Sequence, residues 1–383
     1  MRSIRKFVAP EIVFGDGALE LLGRYAANLG ASRVFVVTDP GMVHVGLVDK
    51  AVRVLQSAGV EAMVYDRVSP NPRDHEVMEG AAAYHQAGCD VIVALGGGSP
   101  MDCAKGISVV SVNGANILDF EGVDKVTAPG PPLICIPTTA GSSADVSQFA
   151  IINNVAGRVK IAIISKSVVP DVALIDPSTT LTMDRHLSLC TGIDALVHAV
   201  EAYVSSAGSD LTDLHALEAI RLLHRHLPEV LERLDDLWLR DRIMLASLEA
   251  GLAFSNASLG AVHAMAHSLG GLLDLPHGEC NALLLDHVVA FNYRATPERY
   301  DRIGEIFGAQ LSGRAPQEKQ SVVVESIRAF KAQIGFQSGL AKRDVRRADI
   351  GLLARKALAD PCMATNPRRA RLADIEAIYQ EAF

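Results

Sequence analysis

Asp90-Val91-Ile92-Val93-Ala94-Leu95-Gly96-Gly97-Gly98-Ser99-Pro100-Met101-Asp102-Cys103-Ala104-Lys105 is the stretch whose reading decides the fold. Its first six residues read as a buried strand, apolar from Val91 to Leu95, and three glycines follow at once. Pro100 then opens a segment of helical character to residue 110, placed where a missing N–H costs least. A buried strand that turns straight into a helix is the local plan of a parallel sheet covered by helices. Upstream, residues 34–37 and 60–65 read as strands, and 47–58 and 73–86 as helices. Downstream, further strands are expected at 133–136, 150–152, 159–164 and 172–175. After Asp176-Pro177 the texture changes to long Ala- and Leu-rich helical segments at 192–205, 211–226, 236–255 and 257–273. The chain therefore divides near residue 180 into an α/β half, with a parallel sheet bearing helices on both faces, and an all-helical half.

Composition bounds the function classes. The 383 residues suffice for two or three domains. Apolar residues make up 49% and charged residues 21%, an ordinary globular balance. Lys+Arg is 36 against Asp+Glu 44, and this net acidity argues against a nucleic-acid binder. No apolar run approaches the roughly 18 residues of a membrane span. The basic start Met1-Arg2-Ser3-Ile4-Arg5-Lys6 meets Pro10 and Glu11 without a signal-peptide apolar stretch. Six cysteines without a C-x-x-C pair point to reduced thiols and a cytoplasmic setting. The locally basic stretch 342–371 reads as solvated helix faces.

Three consecutive glycines exceed what a tight turn needs. They let the backbone approach an anion at a helix start, where free N–H groups and the helix dipole favour negative charge. The spacing is neither a Walker loop nor G-x-G-x-x-G, since the first strand ends in Thr38-Asp39-Pro40-Gly41. Asp39 can accept from ribose hydroxyls and would repel a 2′-phosphate, favouring NAD over NADP; an Asp before Pro40 can equally be a turn starter. Pro137-Thr138-Thr139-Ala140-Gly141-Ser142-Ser143-Ala144 is a second polar turn after an apolar strand, suited to a phosphate or an amide.

In the helical half, Asp194 and His198 lie four apart, as do His263 and His267, and His277 follows a loop. Each pair shares one helix face in apolar surroundings, where unpartnered imidazoles and a carboxylate are costly. One such pair alone would be a satisfied core contact. Two pairs plus His277 point to a divalent metal with neutral His nitrogens and one Asp oxygen. The spacing leaves open which three of the four histidines ligate.

Carried by Gly96–Lys105 (GGGSxxDxAK), 137–142 (PTTAG-like), 194–199 (DAxxHA) and 263–278 (HxxxH, then PHG), the sequence resembles the iron-containing (group III) alcohol dehydrogenase family over nearly its whole length. The resemblance implies a dinucleotide-binding α/β domain at 1–180 and an all-helical metal-binding catalytic domain at 181–383, with the active site in the cleft between them. It implies Asp194, His198, His263 and His277 as ligands of Fe²⁺, replaced by Zn²⁺ or Mn²⁺ in some members. His267 matches a non-ligand histidine beside the nicotinamide and metal, and so the catalytic group. Asp39, Asn71, Gly97, Gly98, Ser99, Thr138, Thr139, Ser142, Phe149 and Lys160 match NAD-binding positions. Phe149 also falls, with Phe254 and Cys362, where a substrate channel is expected. A homodimer or larger homo-oligomer is implied. Asp145 stands where the family usually has Glu, and Ser268 where several members carry Pro or Gln.

The expected reaction is reversible oxidation of a small primary alcohol to its aldehyde, with hydride passing to NAD. The alternative is a glycerol dehydrogenase-like polyol enzyme. A dehydroquinate synthase-like lyase would need Lys or Arg near the metal to hold a phosphate, and the segments around 194, 263 and 277 contain none. A catalytically silent binding protein would have no use for all four ligands.

Overall fold

The computed structural model describes residues 5–157, 159–273, 275–336 and 339–383. The basic residues 1–4 and Asp274, in the stretch before His277, lie outside them. Contacts group residues 7–183 and 235–244 into one unit, and 5–6, 184–234 and 245–383 into another.

The first unit is built on strands β1 (Glu11–Phe14), β2 (Arg33–Val37), β3 (Glu61–Tyr65), β4 (Val91–Gly96), β5 (Gly122–Val123), β6 (Leu133–Pro137), β7 (Phe149–Asn154), β8 (Val159–Ile164) and β9 (Val172–Ile175). Helices α1 (Leu22–Asn28), α2 (Pro40–His44), α3 (Leu47–Ser57), α4 (Asp74–Ala87) and α5 (Gly98–Asn113) connect them. Six strands form a wholly parallel sheet in the order β1-β9-β6-β4-β2-β3. Side chains alternate across a strand, so a fully buried strand feeds two cores. Val34, Val36, Val91, Val93 and Leu95 pack with Leu22, Ala51 and Leu55 on one face. Phe35, Val37, Ile92 and Ala94 pack with Val77, Ala104 and Ile107 on the other. The expected helices on both faces are therefore present.

Besides α1, α2 and the two-residue β5, which the sequence reading lacks, two features depart from it. β1 has no counterpart there: its four residues are only partly buried at the sheet edge, so no apolar run marks it. β7 and β8 form an antiparallel hairpin in a separate three-stranded sheet with β5. Asn154 Oδ1 takes the Gly157 N–H at 2.8 Å in their connection, which is too short for a parallel crossover.

The order β4-β2-β3 means the chain leaves β2 on one side and returns on the other. That reversal opens a crevice beyond the C-terminal ends of β2 and β4, where α/β sheets hold ligands. Thr38 Oγ1 donates to Leu95 O at 2.8 Å and ties these two ends together.

The second unit contains α6 (Arg185–Val204), α7 (Asp210–Glu232), most of α8 (Leu237–Ala257), α9 (Ala261–Leu273), α10 (His277–Asn292), α11 (Pro297–Ile306), α12 (Pro316–Gln333), α13 (Ile350–Ala359) and α14 (Leu372–Glu381). It has no strand among its described residues. α6 is long and apolar enough to cross a membrane by length and mean hydropathy, but it holds no unbroken apolar run and 89% of that stretch is buried in the protein. It is a core helix. None of the six cysteines forms a disulfide.

Candidate functional site

Of the predicted cofactor residues, Asp39, Asn71, Gly97, Gly98, Ser99, Thr138, Thr139, Ser142 and Lys160 lie close together around the turn that ends β4. Gly96 has φ +152°, a value L side chains rarely adopt, and a Cβ there would meet Pro100 Cγ at 2.6 Å. A Cβ on Gly98 would stand 2.9 Å from Ser142 Cβ, so the two polar turns touch through that glycine. Gly97, at the N-cap of α5, brings no capping side chain, leaving the helix start to present its backbone. Asn71 (φ 57°) donates its N–H to Ser99 Oγ at 3.2 Å, and Lys160 Nζ donates to Asn71 Oδ1 at 2.7 Å. Thr138 is buried, and its Oγ1 has no hydrogen-bond partner. A buried hydroxyl of that kind fits a bound polar ligand.

Asp39 caps α2 by accepting the Met42 N–H at 3.1 Å on Oδ1, so the turn-starter reading is met. Its Oδ2 faces Gly96, 3.3 Å from where a Cβ would sit. Lys105 is structural. Buried, it donates to Ser147 O at 2.9 Å and Phe149 O at 2.7 Å, locking α5 to the start of β7. Phe149 is thereby fixed through its carbonyl. Burial pushes Asp102 and Asp145 up to about 6. Asp145 is buried within this unit.

In the helical unit, α6, α9 and α10 bring Asp194, His263 and His277 together, one ligand atom of each within 4.8 Å of the others. Asp194 Oδ1 is the hub. His263 Nε2 and His277 Nε2 each lie 3.7 Å from it and His198 Nε2 4.0 Å. Donors about 2.1 Å from a common ion at tetrahedral angles lie roughly 3.4 Å apart, so this spacing fits a divalent metal. The approach of α10 to α6 depends on Gly278, where a Cβ would fall 2.0 Å from Cys190 O.

Burial would raise the Asp194 carboxyl, but His198, His277 and His263 around it hold it well below the usual carboxylate range. Burial likewise opposes charge on His263, and its bonds to Asp194 and Glu201 outweigh that and push the ring up to about 9. The site is built for positive charge at its centre. Asn281 Nδ2 bridges the donors, at 2.6 Å from Asp194 Oδ1 and 3.1 Å from His263 Nε2.

His267 belongs to a different group. Its ring stacks on His277 at 5.2 Å between centroids, but its Nδ1 bonds Asp360 Oδ2 at 2.8 Å. His267, Asp360 and Cys362 form a second cluster of potential ligand atoms within 4.8 Å. Burial opposes the charge on Asp360, and His267 together with the Cys362 N–H holds its carboxyl below the usual range. Phe254 is buried and stacks on His198 at 4.2 Å.

Glu201, Asn281 and Asp360 are absent from the sequence reading. A signal exists for two of them: Glu201 lies three residues after His198 and Asn281 four after His277, each on the ligand's helix face. Asp360, far along the chain from His267, offers none.

Residues 9–177 match the family model described as iron-containing alcohol dehydrogenase, and residues 188–383 match the model for the C-terminal part of the Fe-containing alcohol dehydrogenase family. The chain is 38% identical to a 1,3-propanediol dehydrogenase of Klebsiella pneumoniae over 98% of both chains. It is 35% identical to an NAD-dependent methanol dehydrogenase of Bacillus methanolicus, over 98% of this chain and 99% of that one. A solved 1,3-propanediol oxidoreductase superimposes with a TM-score of 0.96 at 37% identity, covering both chains fully.

Proposed function

Because the chain belongs to the iron-containing alcohol dehydrogenase family, we propose that this alcohol–aldehyde oxidoreductase acts on small primary alcohols with NAD, through Fe²⁺ held by Asp194, His198, His263 and His277. Zn²⁺ or Mn²⁺ would suit the same imidazole and carboxylate donors. The carrying observation is the convergence of buried Asp194 and His263 and half-buried His277 around a single point. When bound, such a metal polarises the substrate oxygen as a Lewis acid, easing loss of hydride from the alcohol carbon to nicotinamide.

The chain's own residues orient the reactants and manage the proton. The start of α5 at Gly97, Gly98 and Ser99 receives the pyrophosphate, with Thr138, Thr139 and Ser142 adding hydroxyls. Lys160, held by Asn71, supplies positive charge beside them. Asp360 takes the Nδ1 proton of His267 as a hydrogen bond, which leaves Nε2 as the atom that accepts the alcohol proton. Phe254 and Cys362 border the alkyl part of the substrate.

Protein purified without oxygen, loaded with Fe²⁺ and given NADH should reduce propanal and its hydroxylated analogues. A chelator should abolish turnover and Fe²⁺ restore it. Failure with every aldehyde tried would overturn the reading.

Asp39→Gly should raise the kcat/KM ratio of NADP to NAD by about tenfold or more, as the carboxylate that repels a 2′-phosphate is gone. Glycine at an N-cap costs only a few tenths of a kcal/mol relative to Asp, so α2 survives the change. An unchanged ratio would remove Asp39 from the ribose site.

A further inference from the structure

We infer that Glu201 is a positioning residue for the metal centre, fixing the ring of His263 through a carboxylate that also clamps the start of α9. Glu201 lies on α6 two turns beyond Asp194, and both are buried. Its Oε2 accepts the Gly260 N–H at 3.0 Å, the His263 N–H at 3.3 Å and the His263 ring Nδ1–H at 2.7 Å. Its Oε1 accepts the Val262 N–H at 2.6 Å. Asn366 Oδ1 takes the remaining Ala261 N–H at 3.1 Å. Two side chains thus satisfy four successive N–H groups at a buried helix start, which otherwise lack partners inside the helix. A negative charge there also answers the helix dipole.

The same anion decides which nitrogen of His263 faces Asp194. A carboxylate only accepts, so when a metal displaces one ring proton the proton that stays is the one on Nδ1, and the Nε2 lone pair is the one offered to the cluster. Nε2 is the nitrogen turned to the cluster, 3.1 Å from Asn281 Nδ2 and 3.7 Å from Asp194 Oδ1. Gly260 is the residue that permits this. A Cβ there would meet both Glu201 Oε1 and Asn366 Oδ1 at 2.9 Å. One side chain therefore joins the helix carrying Asp194 and His198 to the helix carrying His263, and sets that ligand's tautomer as well as its direction.

This inference rests on the metal-centre reading above, and the test separates the two. In Glu201→Gln one oxygen must serve all four donors, and the amide NH₂ necessarily faces one of them. The metal-free full-length protein is titrated with Zn²⁺ against a chromogenic chelator. Wild type should bind, and Glu201→Gln should bind about 10- to 100-fold more weakly. A purely structural role would lower the unfolding midpoint and leave the Zn²⁺ affinity of the folded protein unchanged. Equal affinities overturn the role of Glu201 alone, whereas a wild type that takes up no metal overturns the metal centre and this inference with it. Ring ¹⁵N NMR of Zn²⁺-loaded wild type decides the matter even if the variant does not fold. A proton on His263 Nδ1 with the metal on Nε2 supports the inference, and the reverse arrangement overturns it.

Discussion

His277→Ala is expected to leave the protein folded and strip it of metal and of turnover together. Of the three converging residues, His277 is the one whose loss the fold should tolerate best. Its side chain is 27% exposed, against 1% for His263 and 7% for Asp194. Removing it opens little core, so the unfolding midpoint of the metal-free protein should barely move. Metal affinity should fall by more than the roughly 100-fold that marks the upper end for losing an outer partner of a ligand. Elemental analysis beside a thermal melt reads both quantities. Full metal content in the variant would show that His277 is not a ligand.

Gly278→Ala should damage stability and metal binding without replacing any proposed ligand. The new methyl would be driven into Cys190 O at 2.0 Å and to 3.3 Å from Asp194 Cβ. Both belong to α6, and a carbonyl of a buried helix cannot swing aside as a side-chain tip can. α10 must therefore back away, carrying His277 from Asp194. Overpacking of this kind costs about 1–3 kcal/mol, measurable as a lowered urea midpoint. Weakened metal uptake should accompany it, because the pair is separated. A variant with wild-type midpoint and metal affinity would mean that the close approach of these two helices does not matter.

Much of this is legible in the sequence because the signals are local. β2, β4 and β6 are short apolar runs, and a strand buried on both faces has no other form. The Gly96–Gly98 turn announces itself by composition, and Asp194 and His198 by a spacing of four. β1 stays hidden because an edge strand buries too little to need an apolar run. The β7–β8 hairpin reads as two strands, but pairing direction lies in the short connection and not in the strands. The carboxylates that bond the histidine rings are the least legible. Glu201 reaches across 62 residues to His263 and Asp360 across 93 to His267. No periodicity encodes such contacts, since they exist only once the helices have packed.

The separation of the histidines has a chemical consequence. His263 and His277 turn Nε2 toward Asp194, while His267 is held by Asp360 and stacked against His277. In the proposed function, an imidazole beside the metal but anchored elsewhere would keep its second nitrogen for the alcohol proton.

Anomalous X-ray scattering at the iron edge, from crystals of the anaerobically loaded protein, tests the central claim most directly. One strong peak within bonding distance of Asp194, His198, His263 and His277 is the predicted result. A peak seated instead among His267, Asp360 and Cys362, or no peak in fully loaded crystals, would contradict it.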